Sequence, residues 1–143
     1  MPTLAEDAVA FAKECLGVKG DSVGDDGPNG VGGALYITNH SDIPEYNRLN
    51  IIHLDRLIEV MEAVIAWCNH ENLAFSLDYD PSAGFAARLF LSENAMLDPE
   101  RYWTNESWEI EEQGSTHCHA LLSACVSAQK FIAEAREAYD ETH

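Results

Sequence analysis

A small α+β fold is predicted for this chain: a largely antiparallel sheet of three to four strands packed with three helices, as an α-β-α sandwich. Three observations predict it. Three stretches repeat apolar residues at helical spacing, and two others alternate apolar and polar residues across a Pro-Gly turn. The 143 residues, 46% of them hydrophobic, suit one domain over 1–143 with a single core. No internal repeat or domain boundary interrupts the pattern, whose order is α-β-α-β-β-(β)-α. A small sheet covered by helices is the simplest way to bury those faces.

Thr3-Leu-Ala-Glu6 has the spacing of a capping box, and Leu4, Ala8, Phe11 and Cys15 follow on one stripe, so the first helix is predicted over 4–16. Gly17 is placed to end it in a left-handed conformation. Residues 17–33 hold seven glycines with Asp21, Asp25 and Asp26, and are expected to form a flexible surface loop. A strand is predicted over 34–38 and a connection containing Pro44 over 39–50. The second helix is predicted over 51–69, with a broad apolar face of Leu54, Leu57, Ile58, Met61, Val64, Ile65 and Cys68. Residues 73–79 and 85–91 alternate on either side of Asp80-Pro-Ser-Ala-Gly84, a β-hairpin. An acidic loop spans 93–114, within which Trp108-Glu-Ile-Glu alternates as a short strand would. The last helix is predicted over 116–139, long enough to cross the domain at roughly 36 Å.

Charge is the strongest global signal. Twenty-five acids face eight bases, a formal charge of −17. Such a surface repels nucleic acid and anionic membranes and attracts basic proteins. A salt-loving host would give the same composition. No apolar run reaches the roughly 20 residues of a membrane helix. The acidic start lacks the basic region of a secretory signal, so a cytoplasmic protein is expected. Cys15, Cys68, Cys118 and Cys125 fall on apolar helical stretches and read as reduced core thiols.

The chemical motifs are tested by spacing. The glycine-rich stretch lacks the Gly-Lys pair of a P-loop, breaks G-x-G-x-x-G at Leu35, and runs from helix to strand, so no helix N-terminus follows to hold an anion. Counted as a calcium loop from Asp25, it puts Gly27 and Tyr36 where ligands are needed. Cys68, His70, His117, Cys118 and His119 form two clusters, but residues two apart on a helix face about 200° apart, so His117 and His119 cannot share a metal; core packing is the expectation. Asp78 and Asp80 flank the hairpin turn without a nucleophile–base motif beside them. No catalytic residue, metal or cofactor is assigned.

Asp98, Glu100, Glu106, Glu109, Glu111 and Glu112 lie within fifteen residues, with Tyr102, Trp103 and Trp108 interleaved and Arg101 opposing. Glu134, Glu137, Asp140 and Glu141 make a second acidic patch on the last turns of the final helix, where they oppose its dipole. Dense carboxylates can imitate the field of duplex DNA, which carries a charge about every 1.7 Å. Aromatic side chains among them would anchor a partner.

Val64-Ile-Ala-Trp-Cys68 with Phe75-Ser-Leu-Asp-Tyr-Asp80, and Cys118-His-Ala-Leu-Leu-Ser-Ala-Cys-Val-Ser-Ala128, resemble the small phage-encoded ABA-sandwich domains. The resemblance covers about half the chain and implies a phage or prophage origin and an α-β-α architecture; it supplies no catalytic residues. The resulting expectation is an acidic, non-enzymatic phage protein in the host cytoplasm. It would inhibit a host defence nucleoprotein, such as a CRISPR-type effector, by occupying its nucleic-acid-binding surface. It would make no direct contact with nucleic acid or membrane, and it could pair with a second copy of itself. The alternatives are a small-molecule binder, such as a sponge for a nucleotide signal using Arg88 with Arg56 or Arg48; a metal-dependent enzyme built on the Cys/His clusters; and a purely structural phage protein.

Overall fold

The computed structural model describes residues 3–19, 23–25, 33–37, 41–47, 50–92 and 108–142. Helix α1 (Leu4–Ala10) opens with the predicted capping box: the Thr3 hydroxyl accepts from the Glu6 N–H at 3.2 Å, and the Glu6 carboxylate accepts from the Thr3 N–H at 3.3 Å. The helix continues as a wider π-turn over Phe11–Cys15, closed by the Leu16 N–H on the Phe11 carbonyl at 3.1 Å. Gly17 follows at φ +68°, where a Cβ would also run into the Asp42 carboxylate. Both constraints require glycine at this helix end.

The α+β class is as the sequence predicts. Within it the strands divide between two three-stranded antiparallel sheets. The first orders β1 (Val23–Asp25), β2 (Ala34–Ile37) and β3 (Asn50–His53). Two of these strands differ from the sequence reading. β1 lies inside the stretch expected to be loop, and β3 occupies residues expected to open the second helix. Ile52 is buried and Ile51 is 46% exposed, the period of a strand rather than a helix.

Helix α2 (Leu57–Glu71) therefore starts later, after Arg56 at φ −112° and ψ 103°. The Glu59 carboxylate, on its first turn, reaches back to the His53 N–H at 3.0 Å, the His53 Nδ1 at 2.8 Å and the Arg56 guanidinium at 3.1 Å. α2 buries Val60, Ala63, Val64, Trp67 and Cys68, while Ile58 and Ile65, seven residues apart, are 72% and 43% exposed. Its apolar face is narrower than the sequence suggests, because one side only is packed. Asn72 ends the helix in the left-handed region, its N–H on the Cys68 carbonyl.

The second sheet is a meander of β4 (Leu73–Asp80), β5 (Gly84–Leu91) and β6 (Glu109–Gly114). Asp80 closes the hairpin by accepting from the Ser82 N–H and hydroxyl at 2.8 and 2.6 Å, and Gly84 takes φ +84°. Helix α3 (His117–Thr142) then packs against β5 and β6 on one side and against α1 and α2 on others. Cys118, Ala120, Leu121, Leu122, Ala124, Cys125, Ala128 and Ile132 are all buried, so its first four turns are enclosed nearly all round. All four cysteines are free and buried. Burial pushes the Cys68 thiol up to about 12 and raises those of Cys15, Cys118 and Cys125, as expected of packing groups rather than nucleophiles.

Candidate functional site

The second sheet has one face on α3 and one face that no described element covers. Strand alternation sorts its residues. In β6, Glu109, Glu111 and Gln113 are exposed, and Ile110, Glu112 and Gly114 are half-buried. The register sets Ser76 beside Arg88 and Arg88 beside Glu111, and Asp78 lies two residues along β4 on the same side. The outer face therefore carries Ser76, Asp78, Arg88, Glu109 and Glu111.

Arg88 is the only base of this group, and carboxylates occupy it. Its Nε donates to Asp78 Oδ2 at 3.0 Å and to Ser76 Oγ at 3.2 Å, and its Nη1 donates to Glu109 Oε1 at 2.9 Å. The hydrogen bond to Glu109, with the charge of Asp78, raises its pKa further. With Glu111 opposite, three acids face one base, so the patch is anionic. A phosphate approaching Arg88 would meet Asp78 and Glu109, and Arg56 is likewise paired with Glu59 at 3.1 Å. Two of the three arginines of the nucleotide-binding alternative, Arg88 and Arg56, are thus engaged by acids; the third, Arg48, lies outside the described residues. A shallow cleft of about 440 Å³ runs beside the patch, lined by Ser76, Arg88, Phe90, Leu91, Trp108 and Glu109. Tyr79, at the turn end of β4, is 61% exposed.

The residues singled out from the sequence are distributed unevenly over this geometry. Asp98, Glu100, Tyr102, Trp103 and Glu106 lie outside the described residues. Glu109 and Glu111 share the outer face. Glu112 does not: it points to the α3 side, where it accepts from the Ser127 hydroxyl at 3.0 Å. Trp108 is half-buried, its ring 4.9 Å from that of Phe131 on α3. A strand reverses its side chains at each residue, so neighbours in sequence divide between the two faces. Glu134 and Glu137 are exposed on α3; Asp140 and Glu141 are on its last turn.

The Cys/His clusters are drawn apart. His117 Nε2 reaches the Asp78 carbonyl at 3.1 Å, and its ring stands edge-on to Phe85 at 4.8 Å, tying α3 to the hairpin. His119 turns towards α1, with Nε2 3.1 Å from Asp7 Oδ2 and Nδ1 3.2 Å from Ser115 Oγ. Among the described residues, no three His, Cys, Asp or Glu side chains are placed to hold a metal ion. The contact of Asp7 with His119 spans 112 positions and had no signal in the sequence. Asp7 is 5% exposed; burial raises its pKa, against the opposing pull of His119. No helix among the described residues is long and apolar enough to cross a membrane. No family model, no curated protein and no solved structure matches the chain.

Proposed function

We propose that this chain is an acidic docking protein that occupies a basic, nucleic-acid-binding surface of a partner. Taken with the resemblance to phage ABA-sandwich domains, the partner we infer is a host defence nucleoprotein of the CRISPR-effector kind. One observation carries the reading: the face of the second sheet that no described element covers presents Asp78, Glu109 and Glu111, with Arg88 already paired to Asp78 and Glu109. In the sequence, β6 directly follows the segment that holds Asp98, Glu100 and Glu106. Fixed carboxylates steer a basic partner and exclude a polyanion without further rearrangement.

The test is competition against a labelled DNA duplex for purified CRISPR-type effectors, read by fluorescence polarisation. The chain should displace the duplex at low salt, and its apparent affinity should fall steeply as salt rises. Glu111→Lys should weaken displacement about tenfold or more, as for loss of a close charge pair. Glu45→Lys, the same charge change on the exposed turn before β3, should weaken it far less. Displacement that is indifferent to salt and equal in the two variants would overturn the reading.

A further inference from the structure

A second site is built where α1 meets the start of α3, directly after β6 in the chain. Ser115, His119 and Asp7 form a continuous chain of polar contacts. The Ser115 N–H donates to His119 Nδ1 at 3.4 Å, so Nδ1 is the accepting nitrogen in this arrangement. His119 Nε2 then carries the proton and donates it to Asp7 Oδ2 at 3.1 Å. The Ser115 hydroxyl lies 3.2 Å from the same Nδ1, sharing that acceptor with the Ser115 N–H. Hydroxyl, imidazole and carboxylate are therefore in the order of an activated nucleophile with its base and orienting group. The ring nitrogens are exchanged relative to serine proteases, which leaves the proton path unaltered.

Three further features fit this reading. Ser115 is exposed, whereas the His119 and Asp7 side chains are 12% and 6% exposed, so the attacking atom is accessible and its base is sheltered. Ser115 and His119 border a cavity of about 360 Å³ whose lining also includes Leu4, Leu54, Asp55 and Cys118. The cavity is mainly apolar, with one carboxylate on its wall. α3 starts at His117, two residues after Ser115, and the first N–H groups of a helix lack intrahelical carbonyl partners, the kind of donor an oxyanion at Ser115 would need. A helix cap alone would be met by Thr116 Oγ taking the His119 N–H at 3.1 Å and His119 Nδ1 taking the Ser115 N–H at 3.4 Å. It would not need a buried carboxylate from another helix on the far side of the ring.

We propose that Ser115 is a nucleophile towards small, neutral or cationic carboxylic esters with an apolar acyl group, with His119 as general base and Asp7 as positioning residue. Ser115 Oγ attacks the carbonyl carbon while its proton passes to His119 Nδ1. The tetrahedral intermediate collapses, the C–O bond to the alcohol breaks, and the alcohol leaves with that proton. Water then attacks the acyl-Ser115 ester, giving its proton to His119, and the carboxylic acid and free serine are released. Asp55 on the cavity wall disfavours anionic acyl groups. The site goes beyond the docking function and does not rest on it.

The experiment uses an alkyl fluorophosphonate on the purified full chain, with the adduct mapped by mass spectrometry. The serine oxygen attacks phosphorus, the P–F bond breaks, fluoride leaves and the proton goes to His119. Ser115 should be labelled about 100-fold faster than in His119→Gln, the size expected for general-base assistance. Gln keeps a side-chain acceptor for the helix start, and thermal unfolding of each variant checks the fold. Asp7→Asn should slow labelling and also change the His119 tautomer seen by ¹⁵N NMR, a signature that a loss of packing alone would not produce. Hydrolysis of p-nitrophenyl butyrate should be lost in Ser115→Ala. Absence of a Ser115 adduct in the folded wild-type chain, or equal labelling in His119→Gln, would overturn the proposal whatever the outcome of the effector competition.

Discussion

At the scale of single residues, the two carboxylates that hold helix starts in place have opposite electrostatics. Glu59 accepts from the His53 backbone and ring and from Arg56, and those bonds, the backbone one first, hold its pKa down at about 2 against an ordinary 4.5. Asp7 has one imidazole for a partner and lies in the interior, so burial wins and its pKa rises above 3.8. The signs of linkage follow. A depressed pKa gives stability that is present above pH 4.5 and lost as pH falls through about 2, whereas the raised pKa of Asp7 gives a contribution present below 3.8 and lost as pH rises. Glu59→Gln should therefore lower the melting temperature at pH 7. The gap to wild type should stay constant down to about pH 4.5 and close towards pH 2, where the wild-type group protonates as well. Thermal unfolding of both proteins across that range checks it; a gap that does not narrow would mean the Glu59 bonds hold no pH-dependent stability. Neither role was legible in the sequence. Glu59 falls within a helical pattern in the sequence, and only the late start of α2 shows why it reaches back to β3.

At the scale of elements, local rules carried the reading where local physics decides the outcome. Thr3-Leu-Ala-Glu6 starts α1, Gly17 ends it, and the alternation on either side of Pro81 and Gly84 gives β4 and β5 in register. They failed where an element exists because another lies beside it. β3 is four residues long and sits next to a helical pattern, so pairing with β2 decides its state. The acidic run stands out in the sequence by its density, whereas the alternation of Trp108-Glu-Ile-Glu divides Glu109 and Glu111 from their neighbours. The junction of β6 with α3 gives a sharp test of such tertiary control. A Cβ on Gly114 would lie 2.5 Å from the Ala120 nitrogen and 2.9 Å from its Cα, both backbone atoms that cannot swing aside. Gly114→Ala should cost about 1–3 kcal/mol, the usual range for overpacking, measured by denaturant unfolding. An unchanged midpoint would mean that the strand end and the first turn of α3 separate freely. The same close approach fixes Ser115 relative to His119, so the variant should also slow fluorophosphonate labelling.

At the scale of the whole molecule, the charge of −17 acts on stability and on recognition in opposite directions. Self-repulsion among carboxylates destabilises the compact state, while their field draws in a basic partner. The last turn of α3, with Asp140 and Glu141, separates the two effects, because acids there also oppose the helix dipole. Replacing both with lysine exchanges two repulsive charges for two that favour the dipole, at the greatest distance along α3 from Ser115. The double variant should gain about 0.5–2 kcal/mol of stability at low ionic strength. The gain should fade in high salt as screening shortens the reach of every charge. If the second patch contributes to docking, the stabilised protein should at the same time lose affinity for the effector in the duplex competition. That combination would identify the acids as held against a folding cost by their part in recognition. A salt-loving origin makes a different forecast: the variant would be no more stable at low salt than wild type, and docking would be unaffected. Melting curves at low and high salt, run beside the competition assay, tell these outcomes apart.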